Sequence, residues 1–213
     1  MRKIFTLFII LCLSNIALAG YKEGVEYELL ERAQPSPNDG KVEVIEFFSY
    51  ACPHCYQFEP YVEKWKENKP ANVEFIHVPA VFNQNWEALA GLYYAAEVLG
   101  VQEKMHPVIF DAMHGEGKKI RSFDDLKAVF IANGVSGEKL EQALNSFTVA
   151  AKTRRAKTMT QAYGIKSVPN IVVQGKFRTN AKLASGNKNV FKVVDYLSEK
   201  IEKDNKKLTA DNN

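Results

Sequence analysis

The chain has 213 residues, of which 46% are hydrophobic and 25% charged, which is the composition of an ordinary globular protein. This length allows one large domain, or one domain that carries an insertion. The 28 Lys and Arg residues nearly balance the 25 Asp and Glu residues, for a formal net charge of +3, so the charge does not indicate a nucleic-acid partner.

Residues 1–19 have the pattern of a secretory signal peptide, with a basic start, an apolar core and the small-residue ending Ala17-Leu18-Ala19. This pattern predicts export and cleavage before Gly20. A transmembrane anchor is the alternative, but the apolar run is well short of the ~20 residues that span a bilayer. Cleavage removes two basic residues and no acidic one, so the net charge falls from +3 to +1. It also removes Cys12, which leaves two cysteines.

The first part of the mature chain predicts a strand, a helix and a second strand. Residues 27–30 are predicted as a short edge strand, and Val42–Phe48, apolar on both faces, as a buried strand. A helix is predicted to start at Cys52-Pro53-His54-Cys55, where Pro53 suits the first turn, and to end near Lys66. Residues 73–78 then predict a strand that pairs in parallel with the first through a right-handed crossover.

The middle of the chain predicts helices only, and the end predicts a hairpin and a helix. Amphipathic helices are expected over residues 86–99, 103–113 with an interruption near Pro107, 123–133 with Ser122 as cap, 138–145 and 148–163. Strand character returns at 165–174, and Gln174-Gly175-Lys176 predicts the turn of a hairpin. Residues 190–201 predict a closing amphipathic helix, and the polar tail 202–213 is expected to be solvated and partly disordered.

These elements predict an α/β fold in which a mixed central sheet has helices on both faces. The helical region would be an inserted all-helical domain, residues 80–156, and residues 20–79 and 157–213 would form the sheet domain.

The two remaining cysteines form a Cys-x-x-Cys motif, for which we expect redox chemistry. A structural disulfide is the first alternative, but a four-residue loop would stabilise the fold by only roughly 2 kcal/mol. A structural zinc site is the second, but it requires four Cys or His ligands. The four histidines form no second metal-type pair in the sequence; they are His54, His77, His106 and His114. We therefore predict a redox-active Cys52–Cys55 disulfide, with no metal and no other cofactor.

Two segments resemble one family. Residues 46–59, Glu-Phe-Phe-Ser-Tyr-Ala-Cys-Pro-His-Cys-Tyr-Gln-Phe-Glu, are similar to the active-site segment of the DsbA family, the periplasmic dithiol oxidases of Gram-negative bacteria. Ser167-Val168-Pro169-Asn170 resembles the family's cis-proline loop. The resemblance implies a thioredoxin fold interrupted by a helical domain and no cofactor besides the disulfide. It also implies a periplasmic enzyme that oxidises newly exported proteins and is reoxidised by a DsbB-like membrane quinone reductase.

The residues of the motif have separate expected roles. Cys52 lies at a helix N-terminus, where unpaired N–H groups favour a thiolate, so we expect its pKa to fall and Cys52 to be the nucleophile. Cys55, one turn further, is expected to be buried and to act as the resolving thiol. His54 would add positive charge beside Cys52, with a solvated histidine as the alternative. Pro53 would restrict the backbone at the turn.

Three further residues complete the predicted site. Glu46 lies in the apolar strand; if it is covered, its pKa should rise and it could relay the proton of Cys55, whereas the alternative is a solvated strand-end carboxylate. Val168-Pro169 is expected to be a cis peptide that leaves Val168 main-chain groups free for an extended substrate. The alternative is a plain strand-entry proline. Glu59 is expected to be a solvated helix-surface residue.

The resemblance also suggests a lysine near His77 on the second strand, and this sequence has none there. The charges around Glu46 are therefore expected to differ from the family pattern.

Two alternative functions remain open from the sequence. One is a disulfide isomerase or reductase of the same compartment, and the other is a non-catalytic chaperone that holds peptides. Only about 22 residues precede the first central strand after cleavage, which leaves no room for the long N-terminal dimerisation region of such isomerases. A monomer is expected, although dimerisation through the helical region remains open.

Overall fold

In a computed structural model, the structure describes residues 20–37, 40–116 and 120–211. The predicted signal peptide, residues 1–19, lies outside the described residues, so the predicted cleavage site before Gly20 is described on one side only. Asp39 of the predicted turn also lies outside them. Within the described ranges, no helix is both long and apolar enough to cross a membrane.

Five strands and seven helices are formed by the described residues, in an order close to the predicted one. They are β1 (Glu28–Leu29), β2 (Val42–Phe48), α1 (Pro53–Lys66), β3 (Val73–Pro79), α2 (Gln84–Val98), α3 (Gln102–His114), α4 (Phe123–Ala132), α5 (Gly137–Leu144), α6 (Phe147–Ala162), β4 (Asn170–Val173), β5 (Phe177–Thr179) and α7 (Asn187–Asp211).

The strands form one mixed sheet in the order β1-β5-β4-β2-β3. Strands β2 and β3 are parallel, as the strand–helix–strand pattern predicted, and the other pairs are antiparallel. The β4–β5 hairpin turns at Gln174 and Gly175, which both have positive φ, the backbone that the predicted tight turn requires. Strand β2 lies between β4 and β3, and the helices packed on the sheet cover its side chains on both faces.

A separate apolar core lies on each face of the sheet, and β2 contributes to both. On one face Val42 and Val44 pack with residues of α1 and α7. On the other face Ile45 and Phe47 pack with the helices between β3 and β4. Phe48, at the end of the strand on the first face, also contacts this helical region through Tyr93 and Phe110. The double burial explains why β2 lacks the polar alternation of a half-exposed strand. This arrangement holds the C-terminal end of β2, and with it the start of α1, against the helical region.

Helices α2 to α6 all lie between β3 and β4, which confirms the expected helical insertion. Ser122 caps α4 in a reciprocal pair with Asp125, as its position predicted. The expected interruption at Pro107 was wrong, because α3 continues through it. The lost backbone hydrogen bond is offset by the buried face of α3, which includes Ile109 and Phe110. Helix α6 runs across the expected boundary at residues 156 and 157, so the division into two domains stays a prediction.

The C-terminal tail differs from its prediction. Helix α7 does not end at residue 201 but continues to Asp211. Ion pairs one turn apart support the extension, Glu199 with Lys203 at 3.7 Å and Lys200 with Asp204 at 3.9 Å. The residues from Lys203 to Lys207 are exposed, so the expected solvation is confirmed and the expected disorder is replaced by helix.

Candidate active site

The two cysteines lie at the N-terminus of α1, at the end of a buried strand. Cys52 is the N-cap residue, with extended backbone, and Pro53 occupies the first turn. The backbone carbonyl of Cys52 accepts hydrogen bonds from the N–H groups of Cys55 and Tyr56 at 3.1 and 3.2 Å. Cys52 is 8% exposed as a residue, and Cys55 is not exposed at all. An incoming thiol can therefore reach Cys52 but not Cys55.

The pKa values of the two thiols are shifted in opposite directions, although the cysteines are only three residues apart. The pKa of Cys52 is lowered to about 6, chiefly by a hydrogen bond with the Cys55 thiol, and further by the backbone N–H groups of Cys55 and His54 and by the charge of His54; burial opposes these effects. The pKa of Cys55 is raised far above its ordinary value, mainly by burial. At neutral pH the reduced pair therefore carries one thiolate, on Cys52.

His54 is exposed beside Cys52, and its Nδ1 lies 3.4 Å from Oε1 of Gln57. The imidazole contributes least of the groups that lower the Cys52 pKa, while the backbone N–H of the same residue contributes more. The helix start itself therefore contributes more to the acidity of Cys52 than the His54 side chain does.

The loop before β4 lies against Cys52. The Val168–Pro169 peptide is cis, as expected, and Sγ of Cys52 lies 3.5 Å from the Val168 carbonyl oxygen, to which the protonated thiol can donate. The amide of Asn170 holds the loop by donating to the carbonyl of Ser167 at 2.7 Å. The segment at residues 167–170 and the Cys-x-x-Cys motif, 116 residues apart at their closest contact, form one surface.

Glu46 is fully buried on β2, as expected for a covered strand. Burial raises its pKa well above the usual range, and the charge of Glu59 raises it further. The parallel register places His77 of β3 directly beside it, with Nε2 of His77 3.3 Å from Oε2 of Glu46. A histidine thus faces this acid where the family resemblance suggested a lysine. Burial and the nearby His106 lower the pKa of His77 well below its ordinary value.

The solvated Glu59 expected from the sequence was wrong. Its side chain is 13% exposed, and its Oε1 lies 3.3 Å from Nε2 of His106. The sequence did indicate this burial, because Glu59 follows the buried Cys55 by four residues and therefore lies on the same face of α1. The contribution of His106 could not be found in the same way, since α3 brings it from a distant part of the chain. Among the described residues, one group of side chains is arranged to hold a metal ion: Glu59, His77 and His106.

Comparison with known proteins gives a consistent result. The family model of the DSBA-like thioredoxin domain matches residues 43–198. The thiol:disulfide interchange protein DsbA of Pseudomonas aeruginosa is 37% identical over 180 residues, which is 84% of this chain and 85% of that protein. The corresponding protein of Azotobacter vinelandii is 38% identical over 185 residues, 87% of this chain and 86% of that protein.

Solved structures agree in fold. The crystal structure of Pseudomonas aeruginosa DsbA superposes with a TM-score of 0.81 at 36% identity, over 87% of this chain and 97% of that one. The oxidoreductase NmDsbA1 from Neisseria meningitidis superposes with a TM-score of 0.75 at 26% identity, over 88% of this chain and 97% of that one.

Proposed function

Because this chain belongs to the family of DSBA-like thioredoxin-domain proteins and is a thiol:disulfide oxidoreductase, we propose that it works as an exported oxidase. In this proposal it donates the Cys52–Cys55 disulfide to cysteines of newly translocated proteins in the periplasm. The supporting observation is the pair of unequal thiols, in which the accessible Cys52 has a pKa of about 6 and Cys55 is buried with a raised pKa. A stabilised Cys52 thiolate favours the reduced enzyme, so the oxidised enzyme gives its disulfide away readily.

The transfer proceeds in two exchanges. A substrate thiolate attacks Sγ of Cys52, the Cys52–Cys55 bond breaks, and Cys55 leaves with the electron pair and takes up a proton. A second substrate thiolate then attacks the substrate sulfur of the mixed disulfide, and Cys52 leaves as a thiolate. The substrate gains a disulfide and loses two electrons, which the reduced enzyme holds. The low pKa of Cys52 makes it a good leaving group in the second exchange.

Val168 and Pro169 form the proposed substrate-binding edge. The Val168 carbonyl lies 3.5 Å from Sγ of Cys52, so a peptide that bonds to it in extended form places its cysteine beside the reacting sulfur. Recognition through main-chain groups suits an enzyme whose substrates share cysteines rather than a sequence.

Glu46 is the residue to which we assign the proton of Cys55. It is buried behind the pair, and its charge raises the pKa of the Cys55 thiol, so the two groups interact. The measurement uses protein treated with a chelator, so that no zinc or other metal ion is bound. Under these conditions Glu46→Gln is expected to slow disulfide transfer by about tenfold or more, because the amide cannot exchange a proton. Stopped-flow measurement of the first exchange tests this.

The matched control is Glu74→Gln, an exposed acid on the neighbouring strand β3. Equal rates for the two variants would remove Glu46 from the mechanism.

Turnover requires that the reduced enzyme be oxidised again. We propose a DsbB-like membrane quinone reductase as the partner, since the two electrons must leave the Cys52–Cys55 pair and the described chain offers no further cysteine to accept them. The enzyme works as a monomer in this scheme.

The decisive test compares oxidation with reduction. Oxidised enzyme is mixed with a reduced, unfolded protein substrate, and free thiols are counted over time; in parallel, its equilibrium with glutathione gives the redox potential. We expect stoichiometric oxidation and a potential well above that of thioredoxin. A thioredoxin-like potential would favour a reductase. Prevention of substrate aggregation that persists after both cysteines are replaced, without thiol oxidation by the native chain, would favour a chaperone.

A further inference from the structure

Four ionisable side chains meet in the interior between α1, α3 and the sheet. They are Glu46 of β2, Glu59 of α1, His77 of β3 and His106 of α3, with side chains 0, 13, 7 and 5% exposed. The ligand atoms of Glu59, His77 and His106 all lie within 4.8 Å of one another. Side chains from three separate elements thus direct nitrogen and oxygen atoms at one small volume.

These atoms lack the hydrogen bonds that burial requires. The contacts between Glu46 and His77 and between Glu59 and His106 are close, but neither is aligned as a hydrogen bond. Nε2 of both histidines, Oε1 of Glu59 and both carboxyl oxygens of Glu46 have no hydrogen-bond partner among the described residues. Each buried polar atom without a hydrogen bond destabilises the folded protein. Five together indicate that something else satisfies them.

We propose that Glu59, His77 and His106 bind a divalent transition-metal ion, Zn²⁺ by preference. Two imidazole nitrogens and one carboxylate are a common donor set for zinc with an open fourth position. At metal–ligand distances of about 2.0–2.1 Å, neighbouring ligands of a tetrahedral ion are about 3.3 Å apart. The contact between Nε2 of His106 and Oε1 of Glu59 is 3.3 Å. Glu46, 3.3 Å from Nε2 of His77, or a water molecule takes the fourth position.

The surroundings of the two histidines fix the ring orientation. Nδ1 of His106 lies 2.9 Å from the hydroxyl of buried Tyr50, so the opposite nitrogen faces the cluster. Such outer partners orient the ligands of most protein metal sites. The ring of His77 lies edge-on to Phe48 and Phe75, with centroids 5.5 and 4.8 Å away. Both rings are therefore held in place before a metal arrives.

An entry route is present. A cavity of about 760 Å³ is lined by all three proposed ligands and opens beside α1 and α3. Its lining also carries the carboxylates of Glu63, Glu103 and Asp111, against one basic side chain other than the histidines, Lys66. An excess of negative charge in a cleft raises the local concentration of cations.

The proposal departs from the prediction of no metal site. That prediction considered zinc on the Cys-x-x-Cys motif and the spacing of histidines along the sequence. His77 and His106 are far apart in sequence and meet only because α3 packs against β3. The two cysteines take no part in the proposed site, and the proton role assigned to Glu46 is that of the metal-free enzyme.

The test uses the full mature chain with the Cys52–Cys55 disulfide formed, so that thiols cannot bind metal. Protein stripped with a chelator is dialysed against ZnCl₂, and bound zinc is measured by atomic absorption. We expect one zinc per chain, and affinity at least tenfold weaker in Glu59→Gln and in His77→Gln. His114→Gln, which removes an imidazole of α3 outside the cluster, is expected to keep the affinity.

Measurements on the native chain keep the test independent of whether the variants fold. Co²⁺ in place of zinc should give the visible absorption of a four-coordinate ion, and X-ray absorption should show nitrogen and oxygen ligands with no sulfur. Absence of stoichiometric zinc binding would overturn the proposal. So would sulfur ligands, or binding that survives both the Glu59 and the His77 substitution.

Discussion

Replacement of Cys52 by serine is expected to abolish disulfide exchange, whereas replacement of Cys55 is expected to stop the enzyme at a mixed disulfide. With a pKa of about 6, Cys52 is mostly thiolate at neutral pH, and it is the more accessible of the two cysteines. In the Cys55→Ser variant, Cys52 still reacts with a disulfide, but the protein then has no internal thiol that could release the adduct. In the Cys52→Ser variant, the remaining Cys55 is buried and protonated, so it does not take part in disulfide exchange.

Reaction with glutathione disulfide separates the two variants. At pH 7 we expect Cys55→Ser to form a one-to-one adduct at least about 100-fold faster than Cys52→Ser, because the thiolate is the nucleophile. The Cys55→Ser variant also loses part of the thiolate stabilisation, since the Cys55 thiol is its largest source. Mass spectrometry identifies the adduct, and circular dichroism checks that both variants are folded. Equal reactivity of the two variants would contradict the assignment of Cys52 as nucleophile.

Local sequence was sufficient for the elements that carry this pair. The apolar run of β2 predicts a strand covered on both faces, and Pro53 marks the first turn of α1; both bounds were confirmed. Burial of Glu46 also follows from its position among apolar neighbours of one strand. These features depend on residues close in sequence, where periodicity and capping act directly.

Features that depend on packing between distant segments were not predictable in the same way. Glu59 was expected in solvent because a carboxylate on a helix usually is, but α3 covers that face of α1 and adds His106 to it. His77 appeared only as the residue where a lysine was expected, and the strand register makes it the neighbour of Glu46. Pro107 interrupts a helix by its own chemistry, and burial of the surrounding face outweighs that cost.

The redox potential of the pair is expected to change its slope with pH near 6. Below the pKa of Cys52, reduction takes up two electrons and two protons, because both sulfurs become thiols. Above it, reduction takes up one proton, because Cys52 stays a thiolate while Cys55 remains protonated. Each proton contributes about 30 mV per pH unit in a two-electron couple, so the slope should fall from about 60 to about 30 mV per unit.

The same shift predicts how the stability of the reduced protein depends on pH. The folded pKa of Cys52 is depressed, from an ordinary value of 9.0 to about 6. A depressed pKa stabilises the folded state. This stabilisation is fully present at pH values above the pKa of the unfolded state, and it is lost as the pH falls through about 6. At pH 7 it amounts to roughly 1 to 2 kcal/mol, or about 30 mV in favour of reduction, and it approaches about 4 kcal/mol near the unfolded value. The oxidised protein has no such term.

Equilibration with glutathione over a pH range on both sides of the Cys52 pKa tests the slope, and the ultraviolet absorbance of the thiolate gives the pKa directly. His54→Gln is the informative comparison, because the imidazole contributes least of the groups that lower the Cys52 pKa. We expect it to raise the pKa by less than about one unit, since the Cys55 thiol and two backbone N–H groups remain. A slope near 60 mV throughout would place the Cys52 pKa above the measured range. The start of α1 would then not make this disulfide an oxidant.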